Sequence, residues 1–138
     1  MLRSKHLQKT VLLLVLIAAM LSVTACGNAD QTPTLTVTAV QWSGWSKEQP
    51  APTEDTFENV KKGTVVYDGF GGTVTAVRVS NDSVELRLDN SVFVEPNEDG
   101  TINLTAESIE SVTIKRGEEK RIDTATLDGG VRLIIRYS

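Results

Sequence analysis

Beyond residue 33, apolar and polar positions alternate in short runs, and Gly, Asn and Asp separate one run from the next. β-branched residues crowd these runs, and no stretch of helical length carries an apolar stripe at three-and-four spacing, so the pattern predicts an all-β domain. Residues 35–39 give the first strand, Leu35, Val37 and Ala39 alternating with Thr36 and Thr38. In residues 83–88, Val84, Leu86 and Leu88 take one face while Glu85 and Arg87 take the other, the signature of a strand with one wet face. Residues 131–137 set Val131, Leu133, Ile135 and Tyr137 against Arg132, Ile134 and Arg136. With Ile134 in the middle of its second face, this strand is expected to be central and covered in part on that side. Runs at 63–67, 73–80, 92–95, 101–104, 111–116 and 120–123 complete about nine strands.

The separators carry turn chemistry. Asp68-Gly69-Phe70-Gly71-Gly72, Asn97-Glu98-Asp99-Gly100, Arg116-Gly117-Glu118-Glu119 and Asp128-Gly129-Gly130 are rich in residues that accept tight backbone conformations. Residues 46–58 hold Pro50 and Pro52 and read as a long loop with one helical turn near 56–60. Turn signals at roughly ten-residue intervals suit an antiparallel β-sandwich or a small barrel of about eight or nine strands.

The first 25 residues follow a different rule. Arg3, Lys5 and Lys9 precede an unbroken apolar run over residues 11–21, and Ser22, Thr24 and Ala25 then make the chain small and polar, the order of a secretory signal peptide. Eleven apolar residues form a helix of about 16 Å, short of the roughly 30 Å hydrocarbon core. Val23-Thr24-Ala25-Cys26-Gly27 resembles the lipobox of bacterial lipoproteins. The resemblance covers about the first 27 residues and implies cleavage before Cys26, a diacylglyceryl group on its thiol and an extracytoplasmic domain anchored to the cell membrane. Two acyl chains hold where one would be marginal, because each buried methylene adds about 0.8 kcal/mol. Residues 26–33 then form the lipidated Cys and a flexible tether, and residues 34–138 a single domain. The segments Asp99-Gly100-Thr101-Ile102-Asn103-Leu104, Ile114-Lys115-Arg116-Gly117-Glu118 and Thr124-Ala125-Thr126-Leu127-Asp128-Gly129-Gly130 also look like small uncharacterised lipoproteins of Gram-positive bacteria. That likeness covers about a third of the mature chain and carries no activity with it.

Cleavage changes the chemistry available. The only His is His6, ahead of the cleavage point, and the only Cys is the lipidated one. The mature domain therefore has no imidazole and no free thiol, which excludes Ser-His-Asp and Cys-His catalysis, Cys/His zinc sites and disulfides, and no cofactor is expected. Losing Arg3, Lys5 and Lys9 from 14 basic residues leaves 11 against 18 acidic ones, a formal charge of −7 over 113 residues. Such a balance gives no support for nucleic-acid binding.

Three features remain as candidates. Trp42-Ser43-Gly44-Trp45-Ser46 holds both tryptophans and matches the WSXWS motif of cytokine receptors letter for letter, though without the receptor cysteines and at the start of the domain, so the match is coincidental. Trp42 and Trp45 are candidate ligand contacts, as a stacking platform for sugar rings or a partner hot spot, against the plainer expectation that one or both close the core. Glu95, Asn97, Asp99, Gly100 and Ile102 follow calcium-loop spacing, but position twelve is Ala106, and a hairpin turn is the better reading. The basic residues Lys115, Arg116, Lys120 and Arg121 are offset by Glu118 and Glu119 and read as a solvated hairpin.

The expected function is a lipid-anchored, non-catalytic binding module with a membrane on one side and an envelope protein or glycan as partner. The alternatives are an accessory subunit of an envelope complex or a small glycan-active hydrolase working through two carboxylates among Asp68, Asp82, Asp89, Glu95 and Asp99.

Overall fold

The computed structural model describes residues 32–138, and among them there are nine strands and no helix. The strands are β1 (Thr34–Ser43), β2 (Thr53–Glu58), β3 (Val65–Gly69), β4 (Gly72–Val79), β5 (Ser83–Asp89), β6 (Phe93–Val94), β7 (Ser111–Lys115), β8 (Glu119–Thr124) and β9 (Gly129–Tyr137). They form two antiparallel sheets. One has five strands in the order β2-β1-β9-β8-β6, the other four in the order β3-β4-β5-β7. The sheets stay separate, so the architecture is a sandwich and not a closed barrel.

The core follows from alternation. Leu35, Val37 and Ala39 of β1 and Val131, Leu133, Ile135 and Tyr137 of β9 turn inward from the larger sheet, and Val74, Ala76, Val84, Leu86, Leu88, Val112 and Ile114 meet them from the smaller one. β9 is central, as its apolar face requires, pairing with β1 from Tyr137 opposite Leu35 to Gly129 opposite Ser43. Ile134, on its other face, is half-buried. That face carries Arg132, whose guanidinium takes the fully buried Asp123 in a two-pronged ion pair, Nε to Oδ1 at 2.5 Å and Nη2 to Oδ2 at 2.8 Å. A further Nη2 hydrogen bond of 2.9 Å to the Gly100 carbonyl draws the segment between β6 and β7 onto the sheet. A carboxylate removed from water needs such a complete set of donors.

Three expectations change. Residues 53–58 form β2 instead of belonging to a long loop, because Thr34 to Ala39 offer them a continuous ladder; the helical turn near 56–60 is replaced by the strand end and a bend at Asn59, whose φ is 55°. Residues 101–104 are not a strand. Asp99 Oδ1 accepts from the Thr101 amide at 3.0 Å and Asn103 Oδ1 from the Thr105 amide at 3.2 Å, so side chains take donors that a ladder would have used. The strand at 92–95 shrinks to Phe93–Val94.

Candidate functional site

One end of the sandwich is assembled from four connections, those joining β1 to β2, β3 to β4, β5 to β6 and β8 to β9. They are stitched together by backbone hydrogen bonds. The Gly44 amide donates to the Asp128 carbonyl at 2.9 Å, the Ala125 amide to Val92 at 3.1 Å and the Val92 amide to Gly71 at 3.0 Å. Six side chains of the large apolar types are exposed in the described residues, Trp45, Val65, Phe70, Val92, Leu104 and Leu127. Four of them, Trp45, Phe70, Val92 and Leu127, lie on this one loop end.

Each is held there by identifiable contacts. Trp45 is 84% exposed, at the tip of a connection that folds around Gln49. The Gln49 carboxamide accepts from the Ser43 amide at 2.7 Å and donates to the Ser43 carbonyl at 2.9 Å and to Ser46 at 3.0 Å, so one side chain replaces a missing rung of ladder. Leu127, 73% exposed, follows Thr126, whose hydroxyl donates to the Gly129 carbonyl at 2.5 Å. Phe70 sits in the β3–β4 hairpin, where Tyr67 Oη donates to its carbonyl at 2.9 Å. Burial, and then the negative charge of Asp68, hold the Tyr67 phenol above its ordinary pKa, which keeps this donor protonated. Gly71 has φ of 98° and lies so close to Thr124 and Phe93 that an added Cβ would fall 2.6 Å from Thr124 Cγ2 and 2.9 Å from Phe93 Cζ. Only glycine lets the hairpin rest there.

The two tryptophans part company. Trp42 is half-buried and stands opposite Gly130 of β9, its indole filling the space that a side chain there would take, and it does not join the buried core. Only Trp45 gives its ring to solvent. Val92 is assigned to a strand by its sequence but lies just ahead of β6 and is exposed, while Phe70 and Leu127 escape a strand-based reading though a signal for them exists: an apolar residue inside a turn, as in Asp68-Gly69-Phe70-Gly71-Gly72 or Thr126-Leu127-Asp128-Gly129, has no strand face on which to be buried.

Asp68 and Asp89 fall in one cross-strand row on either side of Thr73, and the other three candidate carboxylates lie apart from them. Asp68 accepts from Thr73 Oγ1 at 2.8 Å, and Asp89 pairs with Arg87 at 3.0 Å. Asp82 belongs to the opposite end, where its carbonyl accepts from the Arg116 amide at 2.7 Å. Glu95 is exposed, and Asp99 is spent on its own turn, hydrogen bonds from Thr101 holding its carboxyl below the usual range. Of these five, Asp89 alone lines a groove of about 640 Å³ beside β5, in company with Glu85, Arg87 and Glu110, and Glu85 is itself paired with Arg78 at 3.5 Å. Among the described residues no group of three or more Asp, Glu, His or Cys side chains is placed to hold a metal ion. Cys26 lies outside the described residues.

The opposite end gathers the described termini and the remaining turns. The Thr34 amide donates to the Ser138 carbonyl at 2.9 Å and the Ser138 amide to the Thr34 carbonyl at 3.0 Å. Tyr137 Oη donates to the Ser80 carbonyl at 2.5 Å, and a hollow of about 310 Å³ is lined by Thr32, Asn59, Lys61, Ser80 and Asn81 among others. Its exposed residues include Glu58, Lys61, Lys62, Asn81, Asp82, Lys115 and Glu118, all polar or charged. No protein-family model, curated protein or solved structure matches this chain.

Proposed function

We propose that the protein is a lipid-anchored, non-catalytic module of the cell envelope that binds an envelope protein or glycan through the loop end carrying Trp45, Phe70, Val92 and Leu127. The single observation that carries this reading is the gathering of exposed apolar side chains on one end of the domain. Scattered apolar residues need no explanation, whereas apolar side chains collected on braced loops mark a surface that removes them from water by contact. Trp45 contributes the most area for the least entropy, since an indole has only two torsions to fix.

The course of the chain supports the anchored arrangement. Residue 32 enters at the polar end, and the ten residues of β1 then carry the chain about 33 Å to the loop end. An anchor on Cys26 would thus hold the polar end toward the bilayer and present the apolar loops away from it.

Two measurements test this reading. Intact-mass analysis of membrane-extracted protein is expected to show a chain beginning at Cys26 with added acyl mass, and the same chain without that mass removes the anchor. Photo-crosslinkers placed in living cells at Trp45 and Leu127 are expected to give a discrete adduct that the same groups at Glu58 and Lys62 do not. An adduct whose mass collapses on cell-wall digestion names a glycan, one that survives names a protein, and equal labelling from both ends overturns the assignment.

A further inference from the structure

A sandwich of two open sheets has four edges, here β2, β3, β6 and β7, and β2 is the longest of them. β3 is irregular, its register with β4 shifting between Val65 and Tyr67. β6 is two residues long. β7 runs directly through Gly117 into β8 of the opposite sheet, with the Gly117 amide donating to the Tyr137 carbonyl at 2.6 Å. β2 differs on each count. Its register with β1 is continuous from Thr34 opposite Glu58 to Ala39 opposite Thr53, its prolines precede it, and every residue except the half-buried Phe57 is exposed. Among the described residues no strand pairs with its far side, which leaves backbone donors and acceptors there as a template on which another extended chain can be added.

The side chains of β2 state which chain. Thr53-Glu54-Asp55-Thr56-Phe57-Glu58 carries three carboxylates and no cation. Glu54 and Glu58 share one face with Thr56, because they stand opposite Thr38 and Thr34 of β1, and Glu54 reaches across to accept from Thr38 Oγ1 at 3.1 Å. Asp55 projects from the other face, opposite Val37. A second copy of β2 would bring three carboxylates against three. The tether residues 27–31, Gly-Asn-Ala-Asp-Gln, have no cation to offer. Like charges directly across a ladder destabilise it and opposite charges support it.

We propose that the β2 edge accepts, by strand addition, an extended segment of a partner protein with Lys or Arg at two positions four residues apart, one opposite Glu54 and one opposite Glu58, and β-branched residues between. The site is independent of the apolar loops. It is distinct from a general attraction of cations because it requires the added chain to be extended and in register.

The test uses the full mature protein in detergent and two synthetic heptapeptides, Thr-Lys-Val-Thr-Val-Lys-Thr and the same peptide with Glu for Lys. The Lys peptide is expected to bind and to slow amide hydrogen exchange within residues 53–58, while the Glu peptide does neither. The double variant Glu54→Lys, Glu58→Lys is expected to weaken the Lys peptide about tenfold and to let the Glu peptide bind, as two cross-strand pairs change sign. Both changed side chains are exposed, and unchanged near-ultraviolet circular dichroism confirms the fold. Trp45→Ala is expected to leave peptide affinity as it was. Absence of binding at millimolar peptide, binding without slowed exchange in β2, or equal affinity of both peptides for both proteins overturns the proposal.

Discussion

The loop end and the terminal end are made from the same parts, tight turns between antiparallel strands, yet they keep different company with water. At the terminal end the turns at Gly63 and Gly117 adopt positive φ, 91° and 84°, with nothing within 4 Å of where a Cβ would be. At the loop end Gly71 and Gly130 are glycines because neighbours occupy that space, Thr124 and Phe93 in one case, Trp42 and Thr124 in the other. One end is shaped by its own backbone and leaves polar side chains outside. The other is packed from beneath, and its apolar side chains are held in water by the structure under them.

The contrast is open to direct attack. Gly71→Ala combines a left-handed backbone with overlap on Thr124 and Phe93 and is expected to cost about 3 kcal/mol, whereas Gly117→Ala meets only the backbone penalty, about 1 kcal/mol. Equal losses in paired urea titrations would mean that the ends are built alike. Gln49→Ala removes three exposed hydrogen bonds and is expected to cost about 1 kcal/mol at most, with faster amide exchange confined to residues 43–49. Exchange spreading into β9 would show that the Trp45 loop supports the sheet and is not merely carried by it.

The smallest effect is expected in alkali. Burial raises the pKa of Tyr67 at the loop end and of Tyr137 at the terminal end. The folded state thus holds both phenolic protons more tightly than the unfolded chain does. The stability this contributes is whole below the ordinary tyrosine value near 10 and is lost as pH rises through the raised values. Tyr67→Phe is expected to remove the part of this loss that loosens the Phe70 hairpin, and Tyr137→Phe the part at Ser80. Stability that is flat from pH 9 to 11 in the parent protein would contradict both assignments.

Where one side of a strand meets the core, the sequence carries the fold openly. Val84, Leu86 and Leu88 are buried as their alternation requires, and the two-sided apolar character of residues 131–137 corresponds to a central strand. β2 is invisible to the same reasoning because it has almost no buried face; its conformation comes from the edge of β1, a long-range cause with no local mark. The false strand at 101–104 shows the converse, β-branched residues claimed by Asx turns. For the candidate surface, both tryptophans were legible as residues of interest, but which ring faces water depends on where Gly130 sits across the ladder. The convergence of Phe70, Val92 and Leu127 required knowing that four connections end together.

The position of β1 has a mechanical meaning. It bonds to β9 along nine residues and to β2 along six, and it is the first strand reached from residue 32. A pull applied at residue 32 and resisted at Leu127, just ahead of β9, draws the two paired strands in opposite directions, so the nine residue pairs of the β1–β9 ladder share the load in shear and must slide together before any one gives way. The same pull between residue 32 and Ser138 would open the ladder from its end, one rung after another. The ladder is thus stiff along the line from the terminal end to the loop end and weak when opened from the terminal end.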